Sequence, residues 1–308
     1  ATNETRGQML SLYMIISMGG LGIGQLMIGA GGDDSIVLFL LASVLVSIAV
    51  VPVLLSATSA PTFEEPERMS MRRLMQVSPL AVVGLGINGI AVSMLFGMGA
   101  VYGLSIGLDN AEVGYFMTAP VVGALILQYP VGRLSDRFDR RMVILGVAVM
   151  GGVAAATATL FGRGEFAFLL LCMLVYGGSL FPLYSLCIAH ANDFLTPRQM
   201  VAAASGLVMV NGAGAVFGSP LAALSIEFFG VTSFFVLITI TQVMIGGFAL
   251  FRMTRRAAVP NEAQGTFVAI PESSSALAVS LNPEAEWIAA TDEFGEDDDP
   301  FRDNPYVT

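Results

Sequence analysis

The sequence contains no lysine, one histidine and two cysteines, and only 12% of its 308 residues are charged. A soluble domain would carry about a quarter charged residues. So few histidines and cysteines cannot build a recognisable zinc or haem centre, so we expect no metal and no cofactor. Cys172 and Cys187 would lie about 22 Å apart on a continuous helix, too far for a disulfide. They are predicted to be buried free thiols.

The sequence motifs of several enzyme classes are also missing. There is no phosphate-binding Walker loop, which argues against an ATP-driven pump. Neither a Ser-His-Asp arrangement nor a metalloprotease spacing occurs. We therefore predict that the chain is not an enzyme, and we expect no nucleic-acid partner.

Long apolar runs dominate what is present. Hydrophobic residues make up 55% of the chain, and the mean hydropathy is +0.75. Eight runs reach the roughly 20 residues that a helix needs to cross a bilayer. They lie near 9–29, 35–57, 79–106, 112–133, 142–161, 167–190, 199–228 and 231–252. The fold class is therefore all-α, a polytopic membrane protein.

The arginines indicate the orientation of these spans. Counted over alternate loops, twelve arginines fall on one side and Arg163 alone on the other. Positive residues concentrate on the cytoplasmic side. This bias predicts a multi-pass membrane protein with both ends of the chain in the cytoplasm.

The net charge of −10 belongs to the last part of the chain. Residues 258–308 contain eleven acids and one arginine, whereas the acids and arginines of residues 1–257 balance. The acidic composition therefore says nothing about substrate charge. This polar segment, rich in serine and proline, is predicted to be a largely disordered cytoplasmic tail.

The loop 58–78 divides the spans into two and six. A shift of 192 residues superposes Arg6, Gly20 and Gly22 on Arg198, Gly212 and Gly214. The first pair of spans therefore resembles the last pair, as in a protein built from two repeats of which the first begins upstream. The predicted units are 1–57, the last two helices of one half; 58–78, an interdomain loop; 79–257, a complete six-helix half; and 258–308, the tail.

Glycines recur at four-residue spacing in several spans, as at Gly20 and Gly24 and again at Gly214 and Gly218. Small residues at this spacing allow close packing of membrane helices. Such faces could also slide during a conformational cycle.

Polar side chains within the spans are mild, and no ionisable residue lies in the middle of a span. Either proton coupling is absent or its carboxylate lies in a part not present here. Each polar residue alone is explained by an interhelical hydrogen bond, but as a set they suit a cavity for a small, uncharged or amphipathic solute. The candidates for the cavity are Asn88, Tyr176, Ser179, Tyr184 and Asn211.

A second group lies where the spans meet the arginine-rich side. His190 and Asp193 follow the sixth span, and Arg198 precedes the seventh. Together with Arg6, at the position that repeats Arg198, they are candidates for an inner gate. The simpler interpretation of His190 is a favourable interaction with a helix C-terminus.

The stretch 132–141, Gly-Arg-Leu-Ser-Asp-Arg-Phe-Asp-Arg-Arg, lies between two spans. It resembles the signature loop of the major facilitator superfamily, G-x-x-x-D-(R/K)-x-G-(R/K)-(R/K). The resemblance implies the superfamily fold of twelve helices in two halves, of which this chain would hold helices five to twelve. Asp139 departs from the pattern, which has glycine there.

Other stretches resemble the YcaD-like subgroup of bacterial permeases. They are Arg6–Tyr13, Phe181–Tyr184, Ala189–Asp193, Phe267–Pro271 and Asn282–Glu286. The resemblance covers essentially the whole membrane domain. Four helices are then expected to precede the chain.

The resemblance also implies a role for the loop residues as a conformational latch. Asp136 would face the N-terminus of a helix from the opposite half, which begins here near Gly7, because that end favours an anion. The other members of the predicted latch are Gly132, Arg137, Arg140 and Arg141, with the arginines pairing with acids or lipid phosphates. Alternatively, the arginines serve only to fix the topology.

The function implied is secondary transport of a small solute by alternating access. The alternative is a non-transporting membrane sensor or receptor with a transporter fold, and a passive channel is a more distant one. The expected partners are a small-molecule substrate and the lipid bilayer, and the protein is expected to be a monomer.

Overall fold

The structure is a computed structural model that describes residues 3–30, 35–55, 69–162, 164–255, 264, 265 and 267–270. Within these ranges all regular secondary structure is helical. The helices are α1 (Asn3–Ala30), α2 (Ser35–Leu55), α3 (Met71–Val77), α4 (Pro79–Ser105), α5 (Asn110–Ser135), α6 (Arg140–Phe161), α7 (Phe166–Asn192), α8 (Pro197–Phe229) and α9 (Ser233–Arg255).

Helices α4 to α9 are long and apolar enough to cross a membrane. Helices α1 and α2 contain shorter apolar stretches, Leu12–Met27 and Ile36–Pro52. The eight helices coincide with the eight predicted spans to within a few residues at most ends, which confirms the all-α polytopic class. We call the end of the bundle where α5 stops and α6 starts the arginine end.

Helix α3 differs from the sequence prediction, which treated 58–78 as a loop. Residues 56–68 lie outside the described part of the chain, but Met71–Val77 is a helix. The side chain of Ser70 accepts a hydrogen bond from the backbone N–H of Arg73, 3.2 Å away, and so caps the first turn. Leu74 and Val77 are buried against the six-helix unit. A helix this short is stabilised by packing rather than by its own propensity.

Helices α4 to α9 form one packed unit with α7 at its centre. Every residue of α7 from Tyr176 to Ala191 is buried. Two apolar clusters surround this helix, one around Leu183 and Leu207 at the arginine end and one around Tyr102 and Phe234 at the other end. In the latter, the ring centroids of Tyr102 and Phe234 are 4.8 Å apart. The core of the unit therefore runs along α7.

Helices α4 and α8 approach each other closely at glycines. A β-carbon at Gly214 would overlap the carbonyl oxygen of Gly86, and one at Gly218 would overlap that of Ile90. Farther along, the hydroxyl groups of Ser93 and Ser219 are 2.8 Å apart. The four-residue glycine spacing in α8 thus serves close packing, as one of the two interpretations predicted.

Helices α1 and α2 are joined to this unit through α1. Met14 and Met18 of α1 pack with Val121 and Ala124 of α5 and with Phe181 of α7. In contrast, α2 exposes large apolar side chains along its described length, and Phe39 is 76% exposed. Surfaces of this kind are covered by lipid or by further helices.

Candidate functional site at the arginine end

The loop between α5 and α6 is tight and internally bonded. Asp139 is the N-cap of α6, and its carboxylate accepts a hydrogen bond from the backbone N–H of Arg141 at 3.0 Å. The same carboxylate pairs with the Arg141 guanidinium at 2.7 Å. Burial raises the pKa of Asp139, but the hydrogen bonds from Arg141 outweigh it and hold the pKa below its ordinary value. The aspartate that replaces the pattern's glycine therefore caps α6.

Arg140 is fully buried and links α6 to α7. One guanidinium nitrogen donates to the carbonyl oxygen of Ala189 at 2.6 Å and to Oδ1 of Asp193 at 2.8 Å. The other donates to the carbonyl oxygen of Gly265. Both side chains of the ion pair are almost inaccessible, with 2% exposure for Arg140 and 1% for Asp193. Arg140 thus pairs with an acid, one of the two kinds of partner that the sequence suggested.

The predicted latch and the predicted inner gate form one cluster. A small cleft at the arginine end is lined by residues of the loop, α4, α7 and α9. His190 and Asp193 from the gate set face Arg140 and Arg141 from the latch set across it, and Arg252 adds a further cation. The side chains of Arg6 and Arg198 lie outside the described residues. Their place in the gate therefore stays a prediction.

Asp136 and Arg137 lie at the exposed edge of this cluster. Oδ1 of Asp136 accepts a hydrogen bond from the backbone N–H of Phe267, 2.8 Å away. The sequence suggested a different partner, the start of α1 near Gly7. Because the side chains of residues 1–11 are outside the described part, that contact remains a prediction.

Phe267 belongs to a docked segment, which comprises Gln264, Gly265 and Phe267–Ile270. The sequence predicts that the tail 258–308 is largely disordered, whereas these six residues make defined contacts. Ile270 is 2% exposed, and its N–H donates to the hydroxyl oxygen of Ser185 at 3.1 Å. The reason is that the apolar side chains of Phe267–Ile270 pack on the six-helix unit. The rest of the predicted tail, 256–263, 266 and 271–308, is outside the described residues.

Gly132, the first residue of the signature loop, lies directly under the docked segment. A β-carbon at this position would come within 2.5 Å of the ring carbon Cδ1 of Phe267. A glycine is therefore required here for the close approach of the ring. Sequence reasoning missed Phe267, although its apolar neighbours in an otherwise polar tail were a usable signal.

Two polar residues that hold the docked segment were also missed as site residues. Ser185 of α7 donates to the carbonyl oxygen of Ile270 and accepts from its N–H, both at 3.1 Å. Gln128 of α5 donates to the same hydroxyl at 3.1 Å. Each is a mild polar residue in an apolar span, a pattern that interhelical hydrogen bonds explain equally well.

The candidates for the mid-membrane cavity separate into two groups. Asn88 on α4 and Tyr176 and Tyr184 on α7 are completely buried, and Asn211 on α8 is half-buried. Ser179 is committed elsewhere, because its hydroxyl donates to the carbonyl oxygen of Val147 in α6 at 2.6 Å. This is the interhelical hydrogen bond that the alternative interpretation predicts, and the place of Ser179 in the cavity stays a prediction. Among the residues that the structure describes, no cluster of potential metal ligands occurs.

Comparisons with known proteins agree with this architecture. The family model described as Major Facilitator Superfamily matches residues 81–290. The chain is similar to proteins named "Uncharacterized MFS-type transporter YcaD" from Escherichia fergusonii, Shigella flexneri and Escherichia coli K12. Each is 24% identical over 242 residues. The match covers 77% of this chain and 61% of each relative. No solved structure matches.

The matched residues include the loop between α5 and α6, the arginine-end cluster and the docked segment. The match covers more than half of the chain, and the helices that it spans form one packed unit. The chain belongs to the Major Facilitator Superfamily.

Proposed function

We propose that the protein is a secondary transporter that moves a small solute across the bacterial inner membrane by alternating access. Its family consists of membrane transporters, and the relatives are named as such. The chain covers 61% of the length of those relatives, so the proposal concerns the full-length protein that contains this chain.

The observation that carries the proposal is how α1 and α2 join the six-helix unit. In the described residues the junction is made by α1, whose Met14 and Met18 lie against Val121 and Ala124 of α5 and Phe181 of α7. Methionine side chains are unbranched and adapt to changes in packing. An adaptable junction beside a tightly packed unit suits a protein whose two halves rock about a site between them.

We further propose that the arginine end faces the cytoplasm. The loop arginines Arg133 and Arg137 are exposed there, and Arg252 and Arg255 lie in the last turn of α9. Positive residues flanking spans are retained on the cytoplasmic side. In this orientation the cluster of Arg140, Asp193 and His190 closes the inner end of the six-helix half.

The proposed solute cavity lies at mid-depth beside α4, α7 and α8. Asn88, Tyr176, Tyr184 and Asn211 supply amide and phenol groups and no fixed charge. Such groups suit a neutral or amphipathic solute, because a buried charge would need an ionised partner.

The test is counterflow with the purified full-length protein in liposomes. Vesicles are loaded with one unlabelled compound from a panel of sugars, amino acids and amphipathic amines, and uptake of the same compound in labelled form is followed. A transporter gives transient, saturable accumulation above that of empty liposomes. Binding without accumulation would instead support a sensor, and flux that does not saturate would support a channel; either result contradicts the proposal.

The latch provides a second check on any compound that shows counterflow. Asp136→Asn is expected to slow exchange without reducing the amount of protein inserted, because the carboxylate's charge is lost while the fold is kept. Asp109→Asn is the matched control at the opposite end, where the carboxylate caps α5. An unchanged exchange rate in Asp136→Asn would show that Asp136 does not act as a latch.

A further inference from the structure

We propose that the docked segment, Gln264, Gly265 and Phe267–Ile270, is a gate that closes the arginine end of the junction between the two halves and must undock for that end to open. Calling the segment a gate rests on the proposed function, because only a transporter opens and closes this end. The docking itself, and the access that it blocks, can be measured without any transported solute.

The first argument is that the segment is bound by specific backbone contacts along its length. The N–H of Gly265 donates to Asp193 at 3.1 Å, and its carbonyl oxygen accepts from Arg140. The N–H of Phe267 donates to Asp136, and both backbone groups of Ile270 bond to Ser185. Charged and hydroxyl side chains of the six-helix unit thus act as partners for an extended peptide, which is how a chain binds a groove specifically.

The second argument is that its partners are the signature loop itself. Asp136, Arg140 and the space above Gly132 are all used by the docked segment. These are the residues of the tight connection between α5 and α6. A segment that occupies them responds to any movement of that connection.

The third argument is that the end of the docked segment reaches deep into the helix bundle. Ile270 is bonded to Ser185, which lies seven residues before the end of α7, or about 10 Å into the bundle. Ala269 packs against the cluster of Met14, Met18, Val121, Ala124 and Phe181 that joins α1 to α5 and α7. The tip of the segment therefore lies at the contact of α1 with α5 and α7, on the side of the arginine end.

The fourth argument concerns reversibility. The segment is attached by five hydrogen bonds to its backbone groups and by two apolar side chains, the partly buried Phe267 and the buried Ile270. Each of these hydrogen bonds replaces a bond to water, so even the charge-assisted ones contribute only about 1.5–3 kcal/mol net. Attachment is therefore sensitive to the loss of a single apolar side chain.

The experiment uses the full-length protein in lipid vesicles with Cys172 and Cys187 replaced by alanine and a reporter cysteine at Ala124. Ala124 is 1% exposed and belongs to the cluster on which Ala269 packs. A membrane-impermeant maleimide is applied to the arginine end, and the labelling rate is measured. Hydrogen exchange of the Phe267 and Ile270 amides is followed in the same samples.

Two variants undock the segment from opposite sides. Phe267→Ala removes the ring. Phe138→Ala is its control, since Phe138 lies in the nearby loop between α5 and α6 and its side chain is 54% exposed. Gly132→Ala fills the space that the ring occupies, with Gly146→Ala as its control, since nothing lies within 4 Å of a β-carbon there. Alanine favours the helix at both glycine positions, so undocking by Gly132→Ala cannot be attributed to unfolding of α5.

We expect both undocking variants to label several-fold faster, up to about tenfold, since the partly buried ring of Phe267 supplies at most about the 1.4 kcal/mol that corresponds to tenfold. Their Phe267 and Ile270 amides should lose protection, while the controls match the parent. Fast amide exchange in the parent, or equal labelling rates in the parent and both undocking variants, would overturn the proposal. Counterflow can fail while this result stands, in which case the segment closes a junction that does not transport.

Discussion

At the scale of single residues, two of the ion pairs at the loop differ in burial; a third joins Arg140 to Asp136 at 4.0 Å. The Arg140–Asp193 pair is nearly inaccessible, and Asp193 also accepts from the N–H of Gly265. In the Arg141–Asp139 pair the side chains are 9% and 19% exposed. Breaking a buried pair leaves an uncompensated charge away from water, whereas a partly exposed pair is screened. The first pair therefore holds the arginine end together, and the second shapes the turn.

This difference predicts unequal effects of two chemically identical substitutions. Asp193→Asn should lower the free energy of unfolding by about 3 kcal/mol, because Arg140 then keeps only Asp136, a partly exposed carboxylate 4.0 Å away, as its counter-charge. Asp139→Asn should cost about 1 kcal/mol or less, because asparagine also caps helices well. Unfolding by sodium dodecyl sulfate in mixed micelles measures both. Equal losses in the two variants would show that the burial of the Arg140 pair is unimportant.

At the scale of helices, close contact between α4 and α8 is set by glycines on one face of α8. A β-carbon at Gly214 would overlap a carbonyl oxygen of α4, whereas one at Gly212 would meet nothing within 4 Å. These two positions lie two residues apart on the same helix. Alanine at Gly214 tests both the packing of α8 against α4 and the helix propensity, whereas alanine at Gly212 tests the helix propensity alone.

Gly214→Ala should therefore destabilise the protein by about 1–3 kcal/mol, as overpacking does. Gly212→Ala should be neutral or stabilising by up to about 1 kcal/mol, since alanine favours a helix over glycine. The two variants are compared by thermal unfolding in detergent micelles, with unfolding detected as the buried cysteines become reactive. A stable Gly214→Ala variant would indicate that α4 and α8 are not in close contact.

The helices and the loop were predictable from the sequence because each has a strong local signal. A span needs about 20 apolar residues, and the charged stretch 132–141 is short and bounded by two spans. The docked segment has only a weak signal, a short apolar run in a polar tail, and this run does not show where the segment packs. Helix α3 is too short to produce a recognisable periodic pattern. Ser179 and Tyr176 lie on one face of α7, but the sequence does not show which neighbouring helix that face contacts.

At the scale of the whole molecule, the principal contact that the described residues of α1 and α2 make with the six-helix unit is that of α1 with α5. Thr118 of α5 lies against Gly22 of α1, with its hydroxyl 3.5 Å from the Gly22 carbonyl oxygen. Thr118 and Gly22 lie away from the arginine end, and the packing of Met14 and Met18 on Val121 and Ala124 extends the contact across the middle of both helices. Rocking about it would open one end of the junction while it closes the other, which is the central claim of the proposed mechanism.

The direct measurement is a pair of distances across that contact in the full-length protein. Spin labels at Leu12 and Tyr129 report on the arginine end, and labels at Leu26 and Tyr115 report on the other end; all four side chains are exposed. Distances are recorded by pulsed electron resonance in micelles and in liposomes, for the parent and for Phe267→Ala. We predict that whenever the first distance lengthens, the second shortens, and that Phe267→Ala favours the opened arginine end. Distances that lengthen together, or a change at one end alone, would contradict alternating access.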